Sequence, residues 1–218
     1  MKTITVKGVG QVSAKPDLIV IKMRLEACSL KYAETAKLAA EKTDCLSNAL
    51  AAIGFKTDEL KTTDFDVSTK YESKREKNGD YKSVFAGYVC RHALKLEFDF
   101  NSDRLNEVLT AISACEVSPE LSIEFTVKNP AAVSEKLLKS AAENAKAKAE
   151  ILCLAAGVKL GEIITINYTW GEIDVISHTD YRIEPRLMKA ESCIGSVGVT
   201  PDDIDVTDSA EFTWAIEN

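Results

Sequence analysis

Apolar and polar residues alternate almost from the first position. KTITVK (2–7) reads as a strand, and DLIVIKMRLEA (17–27) as a longer one rich in β-branched side chains. From Leu30 to Ile53 the period lengthens: Ala36, Ala39, Ala40, Thr43, Leu46, Ala49, Leu50 and Ile53 recur at helical spacing, and Gly54 follows as a stop. Two long alternating arms come next, TTDFDVSTKY and KSVFAGYVCRHALKLEFDF, joined by ESKREKNGDY with Asn78-Gly79 at its tip. That dipeptide favours the tight turn that matches strand twist, which predicts a long β-hairpin near residues 62–100. Its return arm puts Tyr88, Cys90, His92, Leu94, Leu96, Phe98 and Phe100 on one face.

A short helix is predicted over 102–114, with Ser102 as cap and Leu105, Val108, Leu109 and Ile112 facing inward. The strand LSIEFTVKN follows. Asn129-Pro130 then opens a long helix that runs to Ala156 before Gly157; Ala141, Ala145 and Ala149 suit it to close packing. EIITINYTW (162–170) and SAEFTWAI close the chain as strands. These elements predict one α+β domain over residues 1–218: an antiparallel-rich β-sheet with about three helices packed on it. Between about 171 and 203 the periodicity fades, which predicts an irregular arm or insertion.

The stretch GVGQVSAKPD (8–17) starts like a phosphate loop. A dinucleotide fingerprint needs a third glycine where Ser13 stands, and a helix after it whose free amides meet the phosphate; Pro16 and a strand follow instead. The expectation is a bend between strands, with Gly8 and Gly10 allowing a bulge or a close backbone approach and Pro16-Asp17 making the turn.

Composition changes the picture little. The 218 residues are 45% hydrophobic and 28% charged, enough for a sizeable core. A net charge of -7 repels a phosphate backbone, so nucleic acid is not an expected partner. No apolar run is long enough to span a bilayer as a helix. The first residues lack the basic start and continuous apolar middle of an export signal. The six cysteines contain no CxxC pair and several fall in phase with apolar neighbours, so they read as small buried hydrophobes. Both observations predict a cytoplasmic chain as given, with the periplasm or cell surface as the alternative if a signal peptide has been removed.

Taken in order, the early GVGQVSAKPD, the Gly87-Tyr88 step in the return strand, the Ala-rich helix ending LAAGVKLGEI and the closing alternating strand resemble the SIMPL domain family over nearly the whole chain. The resemblance implies antiparallel strands with helices packed on the sheet, in bacterial proteins that are usually exported. It also implies ring-like oligomers for some members, and links to oxidative stress or to animal signalling complexes for others. No catalytic residues come with it. The chain departs from the family in its cysteines and in its missing export signal.

Candidate chemistry is sparse. His92, in phase with Leu94 and Leu96, reads as a satisfied core histidine. Asp64 and Asp66 lie on the wet face of a strand, and the sequon Asn167-Tyr168-Thr169 falls within one. No cofactor is expected, and no nucleophile, base and oxyanion donor occur together, so an enzyme is not expected. The first functional expectation is a non-catalytic, homo-oligomeric interaction or scaffold protein with an unknown protein partner. Its interface candidates are Arg75, Lys77 and Asn78 at the hairpin tip and Tyr181, Ile183, Leu187, Met188 and Ile194 in the irregular segment. The alternative is a small-ligand or metal site, or an enzyme, near His178, Cys193 and the acidic stretch Asp202, Asp203, Asp205 and Asp208.

Overall fold

The computed structural model describes residues 2–75, 81–169, 171, 173–179, 181–183 and 198–217. In chain order its elements are β1 (Thr3–Ala14), β2 (Leu18–Ser29), α1 (Tyr32–Ala52), β3 (Lys61–Arg75), β4 (Tyr81–Asp99), α2 (Ser102–Ala114), β5 (Glu120–Thr126), α3 (Pro130–Ala155), β6 (Lys159–Asn167), β7 (Tyr181–Ile183) and β8 (Ile204–Glu217). The fold is α+β, with three helices on antiparallel strands, and the strands divide between two sheets in the orders β1-β8-β6 and β3-β4-β2-β5-β7. Two compact units result. One holds residues 1–17, 125–178 and 201–218, the other residues 18–124 and 179–200.

In the first unit α3 packs on β1 and β8. Asn129 caps the helix by accepting from the Ala132 amide and Pro130 starts it, as the sequence predicts. Ala141, Ala145 and Ala149 are all buried; Ala145 and Ala149 pack with Val6, Ala210, Phe212 and Trp214. This contact decides between the two readings of Gly8 and Gly10, in favour of a close backbone approach. β1 runs unbroken through both glycines in regular register, Gly8 opposite Ala210 and Gly10 opposite Asp208, so there is no bend and no bulge there. A Cβ on Gly8 would lie 2.1 Å from the Ala141 carbonyl oxygen, and one on Gly10 2.1 Å from that of Leu137. Close helix approach is therefore the reason for both residues. The same approach covers the outer edge of β1. Val9 and Gln11, whose amides point away from β8, donate to Asn144 Oδ1 (3.0 Å) and Ser140 Oγ (3.3 Å) of α3, and Lys148 donates to the Lys7 carbonyl.

In the second unit β2 is central. Ile19, Ile21, Met23, Leu25 and Ala27 alternate into the core, where α1 contributes Leu46 and Leu50 and α2 contributes Leu105, Val108, Leu109 and Ile112. Four boundaries differ from the sequence reading. Asn101, not Ser102, caps α2, accepting from the Arg104 amide, and the Ser102 hydroxyl donates to the Val199 carbonyl instead. α1 begins at Tyr32 and leaves Leu30 exposed. β6 ends at Asn167, with Ile163, Ile164 and Ile166 all exposed beside two register shifts; Trp170 lies outside the described residues. The segment predicted as irregular contains β7, which pairs antiparallel with β5, and buried Val175 and Ser177, the latter tied to Phe125 and Asp202.

Candidate functional site

The hairpin outlasts its sheet. β2 ends at Ser29 opposite Tyr88, while β3 and β4 go on pairing as far as Arg75 opposite Tyr81. Among the described residues no third strand joins positions 71–75 and 81–87, so this part is a two-stranded ribbon with both edges open. Such a ribbon is marginally stable alone in water. The departure point is built by Gly87: its φ of +126° is a region that glycine tolerates, and a Cβ there would lie 2.6 Å from the Ser29 carbonyl oxygen. Ala86 has no opposite number, since Lys70 faces Gly87 and Tyr71 faces Phe85; the bulge turns the ribbon as it leaves.

Aromatic rings line this ribbon. Tyr32 meets Tyr88 at 5.8 Å between centroids, Tyr88 meets Phe85 at 5.4 Å, and Phe85 meets Tyr71 at 5.8 Å, each edge to face. Tyr32, Tyr71 and Phe85 remain 57%, 58% and 42% exposed, and Tyr81 is 70% exposed, so the row is connected yet wet. Contiguous exposed apolar surface of this kind is unusual on a protein without a partner. Of these rings the sequence reading singled out Tyr88 and missed Tyr32, Tyr71 and Phe85. Comparing arm lengths would have found them, because β2 has 12 residues against 15 and 19 in β3 and β4.

The candidate interface residues that are described lie on different strands. Arg75 is exposed at the end of β3, the edge strand of its sheet, whereas Tyr181 and Ile183 belong to β7 at the opposite edge. Lys77, Asn78, Leu187, Met188 and Ile194 lie outside the described residues.

The acidic stretch is also rearranged. β8 starts at Ile204, so Asp205 and Asp208 are strand residues rather than ligands on one loop. Together with Gly171, Ile173, Asp174, Val206 and Thr207 they line an open cavity of about 310 Å³ in the first unit. Tyr168 donates its hydroxyl to Asp208 Oδ2 at 2.7 Å, and that bond to a carboxylate pushes the phenol above its ordinary range. The Ser209 amide donates to Oδ1. His178 is exposed and does not line the cavity, and Cys193 lies outside the described residues. Among the described residues no group of three or more His, Cys, Asp or Glu side chains is arranged to hold a metal ion, and no helix is long and apolar enough to cross a membrane.

His92 is half-buried between two hydroxyls, Thr43 Oγ1 at 3.0 Å from Nδ1 and Thr62 Oγ1 at 2.8 Å from Nε2, with Phe65 edge-on. Burial lowers its pKa. Both nitrogens are engaged, which is a structural role. Asp66 is exposed beside Arg91 at 3.7 Å.

Comparison with known proteins adds a family. The chain is similar to the 26 kDa periplasmic immunogenic protein of Brucella abortus, at 27% identity over 75% of its own length, and to that of Brucella melitensis at 26%. It spans 65% of the length of both proteins. It is also 22% identical to the uncharacterized protein YggE of Edwardsiella ictaluri, over 76% of this chain and 67% of that one. The expected cytoplasmic location is corrected by these relatives, which are named as periplasmic. That expectation rested on the first residues and on cysteine spacing, and neither reports the compartment in which a chain works. The SIMPL model, described as a protein of unknown function (DUF541), matches residues 4–214, so this chain, with its antiparallel sheets and its α3-covered glycine strand, belongs to the SIMPL family.

Proposed function

We propose that the chain is a non-catalytic interaction protein of the bacterial periplasm that assembles with copies of itself through the outer hairpin. Its two units act together as one family domain, a reading supported by the span of the family match across both. The observation that carries the proposal is the ribbon of residues 71–75 and 81–87, with open edges and an exposed row of aromatic rings. Burying such rings is what makes a few residues dominate an interface. Arg75 flanks this contact, and Lys77 and Asn78 follow it in sequence, outside the described residues. The other side of the contact is proposed to be β7, with Tyr181 and Ile183; Leu187, Met188 and Ile194 follow it in sequence, outside the described residues. Because Arg75 and β7 lie on opposite edges of one sheet, the contact joins successive copies head to tail.

Light scattering on the full chain tests this. The expected mass is a multiple of 23.8 kDa, falling to a single copy in the Tyr71→Ser/Phe85→Ser variant with an unchanged circular dichroism spectrum. A wild-type chain that stays at one copy at high concentration removes the proposal.

The cavity of Asp174, Asp205 and Asp208 supports a second reading: a small-ligand site for compounds bearing a primary ammonium group. Thermal-shift measurements with short diamines should stabilise the wild type, and the Asp174→Asn/Asp205→Asn variant should lose that gain. No shift in the wild type counts against it.

A further inference from the structure

Five cysteines fall within the described residues, and two of them meet. Cys90 and Cys153 are buried and Cys28 is exposed beside Glu26, whereas Cys45 of α1 and Cys115 at the C-terminal cap of α2 are each half-buried. The Cys115 sulfur lies 3.8 Å from the Cys45 carbonyl oxygen and 3.4 Å from that of Ala111, and the Cys45 thiol is near enough to help raise the Cys115 pKa. A sulfur seated against the backbone of a second cysteine, from a helix distant in sequence, brings the two residues within the range that a disulfide spans.

We propose that Cys45 and Cys115 form a disulfide in an oxidising compartment, clamping α1 to the end of α2. The reaction is thiol–disulfide exchange. One thiolate attacks an external disulfide and releases one thiol. The second then attacks the mixed disulfide and releases the other, so both cysteines lose their protons and two electrons pass to the oxidant. Burial, with the neighbouring Cys45, pushes the Cys115 thiol up to about 11. Its thiolate is scarce near neutral pH, so the step in which Cys115 attacks quickens as pH rises. The bond closes a loop of about 70 residues containing β3, β4 and α2, and loops of that length give large stabilisation when cross-linked.

The test uses the full chain incubated with an excess of oxidised over reduced glutathione, then alkylated and digested with trypsin. Cleavage leaves Cys45 alone in peptide 43–56 and Cys115 alone in peptide 105–128. The expected result is one joined species, about two mass units below the sum of the two peptides and separated by reductant. The oxidised wild type should also melt several degrees above its reduced form. That difference should vanish in Cys45→Ser and, as an independent check, in Cys115→Ala. Recovery of both peptides separately alkylated, or joined to peptides carrying other cysteines, overturns the proposal.

Discussion

Two sheet edges in this molecule are handled in opposite ways. The edge of β1 is covered: Gly8 and Gly10 let α3 come close enough for Asn144 and Ser140 to take the outward amides of Val9 and Gln11. Among the described residues, the ribbon formed by the ends of β3 and β4 has nothing over it and carries large exposed rings. Small residues therefore mark a contact made within the chain, and the exposed aromatics are where the proposed contact with another copy is placed. An uncovered strand edge is ordinarily a liability, so its persistence with connected rings favours a recognition role.

The largest effect should come from filling the covered edge. Gly10→Val places branched carbons where even a Cβ meets the Leu137 carbonyl at 2.1 Å, and should cost about 3 kcal/mol in urea unfolding. A wild-type midpoint would show that the helix is not held against the strand. Next, Asn144→Ala takes away the acceptor of the Val9 amide, and a loss of roughly 1 kcal/mol is expected by the same measurement. If stability is unchanged, water serves that edge as well as the helix does.

A smaller change belongs to the backed part of the hairpin. Burial lowers the His92 pKa from its ordinary 6.5, so on acidification the unfolded chain binds the proton first. The contribution is present above about pH 6.5 and is lost as pH falls through the lower folded value. Melting curves from about pH 7 down to 5 should fall less steeply in His92→Gln than in the wild type; equal slopes would reject the burial account. The smallest effect on stability is expected from Tyr71→Ser and Phe85→Ser, each within about 0.5 kcal/mol of wild type for the isolated copy. A large destabilisation would mean that the rings support their own fold rather than a partner.

Much of this was legible before any coordinates. The 3.6-residue rows of α2 and α3, the cap at Asn129 and the alternation of β2 each require nothing beyond local spacing, and all appear where the pattern puts them. The glycines of β1 were harder, because a bend and a close helix approach both select glycine. The acidic stretch was misread for a related reason: alternation in IDVTDSAE is weak until Ile204 and Val206 are seen packing with Val133 and Leu137.

The sequence by itself determined the class of fold, since hydrophobic period and turn chemistry act over a few residues and survive in any environment. Tertiary structure decided which strand edges are covered, that β2 stops short of the hairpin's end, and that Cys45 meets Cys115. Those facts depend on pairs separated by tens of residues, and no local pattern records which surfaces the folded chain will bring together.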